Sequence, residues 1–119
     1  MSKGILKDKS YVFAILIVKL SQHLISDKKE YVLSKQLLRS GTAVGALIRE
    51  AEFAQSKPDF IHKMSISLKE ANETLYWIDL LKDTHFINEE EYNSLYPICK
   101  ELVAMLVSSI KTSKSSIKK

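Results

Sequence analysis

Ser56-Lys57-Pro58-Asp59-Phe60-Ile61 opens the stretch that decides the fold, SKPDFIHKMSISLKEANETLYWIDLLKD over residues 56–83. A serine ahead of a first-turn proline, with aspartate three residues after the serine, is a helix start. The serine oxygen accepts from a backbone N–H that has no partner inside the helix, and proline has no such N–H to leave unpaired. From there Ile61, Met64, Leu68, Ala71, Leu75 and Ile78 alternate spacings of three and four, one stripe close to a coiled-coil seam. Trp77, Leu80 and Leu81 extend the apolar face at its end. The spacing predicts a helix over 57–83.

Three more helices follow from the same rules. Phe13, Ile17, Leu20 and Leu24 form a stripe in a segment of about 9–25, with Asp8 as the expected cap and Ala14, Val18 and Ile25 widening the apolar face. That helix is more apolar than one buried side requires, which points to burial on a second side against a partner subunit. Asp27 with Glu30 three residues later is a capping-box pattern, so a second helix is expected from about 28 to 55. Its middle holds Gly41 and Gly45, four apart and so on one face. Each glycine costs about 1 kcal/mol against alanine inside a helix. Keeping both implies either a close approach by another backbone or a break into two helices. Asn88 with Glu91, ahead of Tyr92, Leu95, Cys99, Leu102 and Leu106, predicts a fourth helix over 89–110, bent at Pro97. Four long helices with short connections make an all-α, antiparallel up-down-up-down bundle in a single domain over 1–110.

Composition agrees. The 119 residues include only 3 Gly and 2 Pro, with 45% hydrophobic residues, a pattern for a few long helices rather than many strands. The longest apolar run, Tyr11 to Val18, is far short of the roughly 20 residues that span a bilayer, and no signal-type cleavage site follows. One cysteine cannot form an intramolecular bridge and suits a reducing compartment. The expectation is a cytoplasmic, soluble protein that does not engage membranes. Net charge is +4, yet without Lys111, Lys114, Lys118 and Lys119 the chain is neutral. The excess therefore lies in residues 111–119, a Lys/Ser-rich segment expected to be flexible and either merely solubilising or a contact for phosphates.

Catalytic chemistry finds little footing. His23, His62 and His85 are scattered, and a single Asp59/His62 pair lacks the second copy that a carboxylate-bridged metal site in a bundle needs. Cys99 lies on the apolar stripe of the fourth helix and reads as a core thiol. There is no phosphate-cradling glycine loop and no nucleophile elbow. No enzyme activity, cofactor, metal or small-molecule substrate is expected. One polar constellation stands out: Arg39, Arg49 and Glu50 on the second helix, with Glu70 and Glu73 three apart on the third. If the two helices pack antiparallel, these charges meet, either as an ion-pair network fixing register or as a ligand site.

Two blocks carry a resemblance. SKQLLRSGTAVGA over 34–46, continued by Ile48-Arg49-Glu50-Ala51, and FIHKMSISLKEANETLYW over 60–77 resemble the four-helix-bundle family named for bacterial large-subunit rRNA intervening sequences. The similarity runs from about Tyr11 to Ile110. Leu47 stands where the family usually has asparagine, and Ala51 where many members have glycine. The resemblance implies an antiparallel four-helix bundle and a ring-like homo-oligomer, typically a pentamer, but brings no established molecular function. A related group of retroelement accessory proteins forms similar rings and binds nucleic acid, which makes RNA or DNA the partner to test. Lys35 and the four terminal lysines would then meet phosphates, joined by Arg39 and Arg49 if exposed. The alternative is a structural or protein-interaction module whose charges are internal.

Overall fold

The computed structural model describes residues 3–118, with side chains over 4–116. It holds four helices, α1 (Lys3–Ser26), α2 (Leu33–Glu52), α3 (Lys57–Asp83) and α4 (Glu89–Lys118). No strand occurs among the described residues. Each helix packs on its sequence neighbours, and α4 returns to close against α1, giving an antiparallel bundle of 52 × 22 × 20 Å.

Two starts follow the sequence rules closely. At α3, Ser56 Oγ accepts from the Asp59 N–H at 3.2 Å, while the Asp59 carboxylate accepts from the Gln55 N–H. At α4 the box is reciprocal: Asn88 Oδ1 accepts from the Glu91 N–H, and Glu91 Oε1 from the Asn88 N–H, both at 2.8 Å.

The other bounds move. α1 begins at Lys3 rather than near 9, because Leu6 and Ser10 are buried and extend the stripe by two turns. Val18 and Ile25 do not widen the core; both point outward. α2 starts at Leu33, not 28, because α1 uses Asp27 for its own end: the Asp27 N–H donates to the His23 carbonyl. Glu30 alone becomes the cap. Its carboxylate accepts from the backbone N–H groups of Val32, Leu33 and Ser34, satisfying the donors that a helix start leaves unpaired. α2 ends at Glu52 and stays continuous through both glycines. α4 passes exposed Pro97 uninterrupted and continues to Lys118, so residues 111–118 are helical rather than a flexible tail. Ile110 and Ser113 are buried, which gives that extension a side to pack.

The core line of α3 is rotated from the apolar reading. Met64, Ser67, Ala71, Thr74, Ile78 and Leu81 are buried, while Ile61, Leu68 and Leu75 are half-buried flanks. Ser67 Oγ donates to the Val44 carbonyl at 2.9 Å, so its hydroxyl is satisfied across the α2–α3 seam.

Candidate subunit and nucleic-acid interfaces

The glycine pair of α2 faces α1. A Cβ on Gly41 would lie 2.9 Å from Ile17 Cγ1 and Cγ2, and one on Gly45 would lie 3.2 Å from Ser10 Oγ and 3.4 Å from the Ser10 carbonyl oxygen. At Gly45 the close neighbour includes backbone, as expected; at Gly41 it is a buried side chain.

The charged constellation divides. Arg39 reaches across from α2 to α3, where Nη1 donates to Glu70 Oε1 at 3.2 Å and Nη2 donates to Glu73 Oε2. Trp77 Nε1 donates to the same Glu73 oxygen at 3.0 Å. The indole N–H, and after it the guanidinium, hold the Glu73 carboxyl below the usual carboxylate range, and the bond to Glu73 raises Arg39 in turn. Beneath them the buried Thr74 hydroxyl donates to the Glu70 carbonyl at 2.8 Å and lies 2.9 Å from Ser40 Oγ. Arg39 is exposed, and its guanidinium is paired at the surface with two α3 carboxylates that tie α2 to α3.

Arg49 and Glu50 stay apart from that cluster, about 15 Å further along α2 at 1.5 Å per residue. Both are exposed. The Arg49 guanidinium stands 5.8 Å from the centroid of the Tyr11 ring on α1. Lys35 is exposed near the N-terminal end of α2, whereas exposed Lys111 and Lys114 ride the last turns of α4, so these phosphate candidates lie towards opposite ends of the rod. The Lys118 side chain and Lys119 lie outside the described residues.

Sequence reasoning gave α1 a second apolar side without naming the residues on it. Ile5, Val12, Ile15, Val18 and Ile25 are all more than a third exposed there, as is Tyr11. It missed Phe53, which is 79% exposed just past the end of α2. The signal for α1 was present in its excess of apolar residues; nothing marked Phe53 as different from core.

Other titratable groups are structural. His23 Nδ1 lies 2.8 Å from Asp27 Oδ2, and its Nε2 3.8 Å from Glu91 Oε2, linking the end of α1 to the start of α4. The Tyr92 hydroxyl donates to Asp79 Oδ1 at 2.9 Å, and burial raises its pKa well above a free phenol. Burial likewise pushes the Cys99 thiol up to about 12, and its sulfur donates to the Ala71 carbonyl. Among the described residues no group of three His, Cys, Asp or Glu is placed to hold a metal ion. No described helix is long and apolar enough to cross a membrane.

A family model described as 23S rRNA-intervening sequence protein matches residues 3–108. None of the curated proteins matches the chain. The chain is similar to a crystal structure of a protein of unknown function from the S23 ribosomal protein family of Bacteroides thetaiotaomicron. The two are 52% identical, the match covers 93% of this chain and 99% of that one, and the TM-score is 0.91.

Proposed function

The chain belongs to the 23S rRNA-intervening sequence protein family, and from that premise we propose that it is a non-enzymatic, cytoplasmic homo-oligomer, a ring of five bundles, that binds nucleic acid. The observation that carries the assembly is the outer face of α1, where Ile5, Val12, Ile15, Val18 and Ile25 stand in water. Monomers rarely leave a contiguous apolar patch of more than a few hundred Å² uncovered. A second copy of the chain covers it without requiring any other protein, and the count of five follows the family likeness. Light scattering on a size-exclusion column tests this. The wild type should run near five times the 13.6 kDa chain mass. The double variant Ile15→Glu, Val18→Glu should run near one, because two carboxylates would be buried unpaired in the contact. A monomeric wild type sinks the reading.

Nucleic-acid binding draws support from uneven charge. The segments meeting at one end of the bundle, residues 3–14, 43–69 and 102–118, hold ten Lys and Arg against four Asp and Glu. Residues 15–42 and 70–101 hold seven against ten. A basic end of this kind concentrates polyanions, with affinity that falls steeply as salt rises. One observation favours the alternative, a structural module that binds no nucleic acid: Arg39 has its own carboxylates and is not free for phosphate. Titrating a fluorescent structured RNA at low salt separates the two, since only the first predicts binding.

A further inference from the structure

We propose that the groove between α1 and α2 at the basic end is a site for single-stranded nucleic acid, with Tyr11 and Phe53 as stacking platforms and Arg49 as the phosphate contact. The proposal rests on the nucleic-acid reading above and adds to it the place and the class of ligand. The groove has a volume of about 600 Å³. Its floor is made of small residues, Ala14, Gly45 and Ala46, where the close seating of Gly45 on Ser10 draws the two helices together. Over that floor stand two aromatic rings largely open to water, Tyr11 at 57% and Phe53 at 79% exposed. Aromatic faces beside a positive groove are how proteins hold single strands, because every base has a flat face to stack and no sequence readout is needed. In a duplex the bases are already stacked on each other, so this recognition favours a strand whose bases are free.

Within the groove the phosphate contact falls to Arg49. The groove is lined by three cations, Lys7, Arg49 and Lys63, and by one exposed carboxylate, Glu50; Lys7 is paired with Glu52 at 3.3 Å and Lys63 with Asp59 at 3.2 Å. Arg49 has no carboxylate within 4.0 Å among the described residues; its guanidinium rests beside the Tyr11 ring instead. Placed there, it can meet a phosphate while the ring beside it meets the adjoining base. The surplus of basic residues at this end draws a polyanion towards the groove.

Fluorescence anisotropy on the full chain tests this, with 12-nucleotide oligo-uridine, 12-nucleotide oligo-thymidine and a 12-base-pair duplex at low salt. Oligo-uridine and oligo-thymidine together ask for the single-stranded character, since both leave their bases free to stack. The wild type should bind the single strands more tightly than the duplex. Tyr11→Ala with Phe53→Ala should weaken single-strand binding by about tenfold or more with unchanged mass by light scattering, and Tyr11→Phe should restore its share. Arg49→Gln should lower the slope of log affinity against log salt by about one. If the aromatic variant binds like wild type while Lys111→Ala with Lys114→Ala loses binding, the groove is overturned and the nucleic-acid reading survives. If the wild type binds none of the probes, both fall. If the aromatic variant loses mass, the groove belongs to a second copy of the chain and the proposal is overturned.

Discussion

A methyl group added at Gly41 would press on both Cγ atoms of Ile17, a fully buried β-branched side chain with little freedom to turn away. At Gly45 the nearest atoms sit farther off, at 3.2 and 3.4 Å, so a few tenths of an ångström of adjustment suffices. The same helix propensity, about 1 kcal/mol per Gly→Ala change, favours alanine at both sites. Overpacking a well-filled core costs about 1–3 kcal/mol. The two substitutions should therefore part company: Gly41→Ala lowers the unfolding free energy from urea titration by a net of up to about 2 kcal/mol, while Gly45→Ala leaves it unchanged or raises it by up to about 1 kcal/mol. Equal effects would mean that the α1–α2 seam yields evenly, and that Ile17 is not the obstacle. The glycine spacing was legible as a packing device. Which glycine meets a rigid neighbour was not, because that depends on the rotation of α1, which no local pattern records.

The elements show where sequence rules hold and where they are overtaken. Ser56 and Asn88 act as written because each lies just outside a helix with no competitor for its oxygen. Asp27 fails as a cap because α1 runs on through Ser26 and takes up the Asp27 backbone, leaving Glu30 to serve α2. Ser67 and Thr74 were passed over for Leu68 and Leu75, since hydropathy does not register a hydroxyl that finds a carbonyl inside the bundle. The tie between α2 and α3 at Glu73 has a consequence for pH. Its carboxyl is held below the ordinary range by Trp77 and Arg39, so the folded form binds its proton less readily than the unfolded chain. Its contribution to stability is then complete above the ordinary carboxylate range and is lost as pH falls through the lowered folded value. Urea midpoints measured from pH 7 down to pH 3 should fall in the wild type and fall less in Glu73→Gln. Superimposable profiles would remove Glu73 from the ties that hold the seam.

At the scale of the whole molecule, the antiparallel turn of four helices sorts charge in a way the linear chain does not display. Net charge was readable, and so was its concentration near the C-terminus. That α4 continues as helix, and that Lys111 and Lys114 share an end with Arg49 and Lys57 while Lys35 lies towards the other, follows only from the topology. The groove with Tyr11 and Phe53 belongs to the same class of feature: its parts come from two helices, and neither residue is distinctive alone. The core gives a test of how cooperatively this assembly holds together. Cys99 is fully buried between α3 and α4, and its thiol titrates at about 12. At pH 8 on the order of one such thiol in ten thousand is ionised, against roughly a quarter of free cysteines. Reagent must therefore wait for the bundle to open, and labelling reports that opening. In native buffer, iodoacetamide should modify Cys99 at least about a thousandfold more slowly than a cysteine in a short peptide. Above the urea midpoint the difference should vanish. If copies stabilise one another through α1, the native rate should also fall as protein concentration rises. Fast labelling without urea, at a rate indifferent to concentration, would mean that the α3–α4 seam opens locally while the rest of the bundle stays closed.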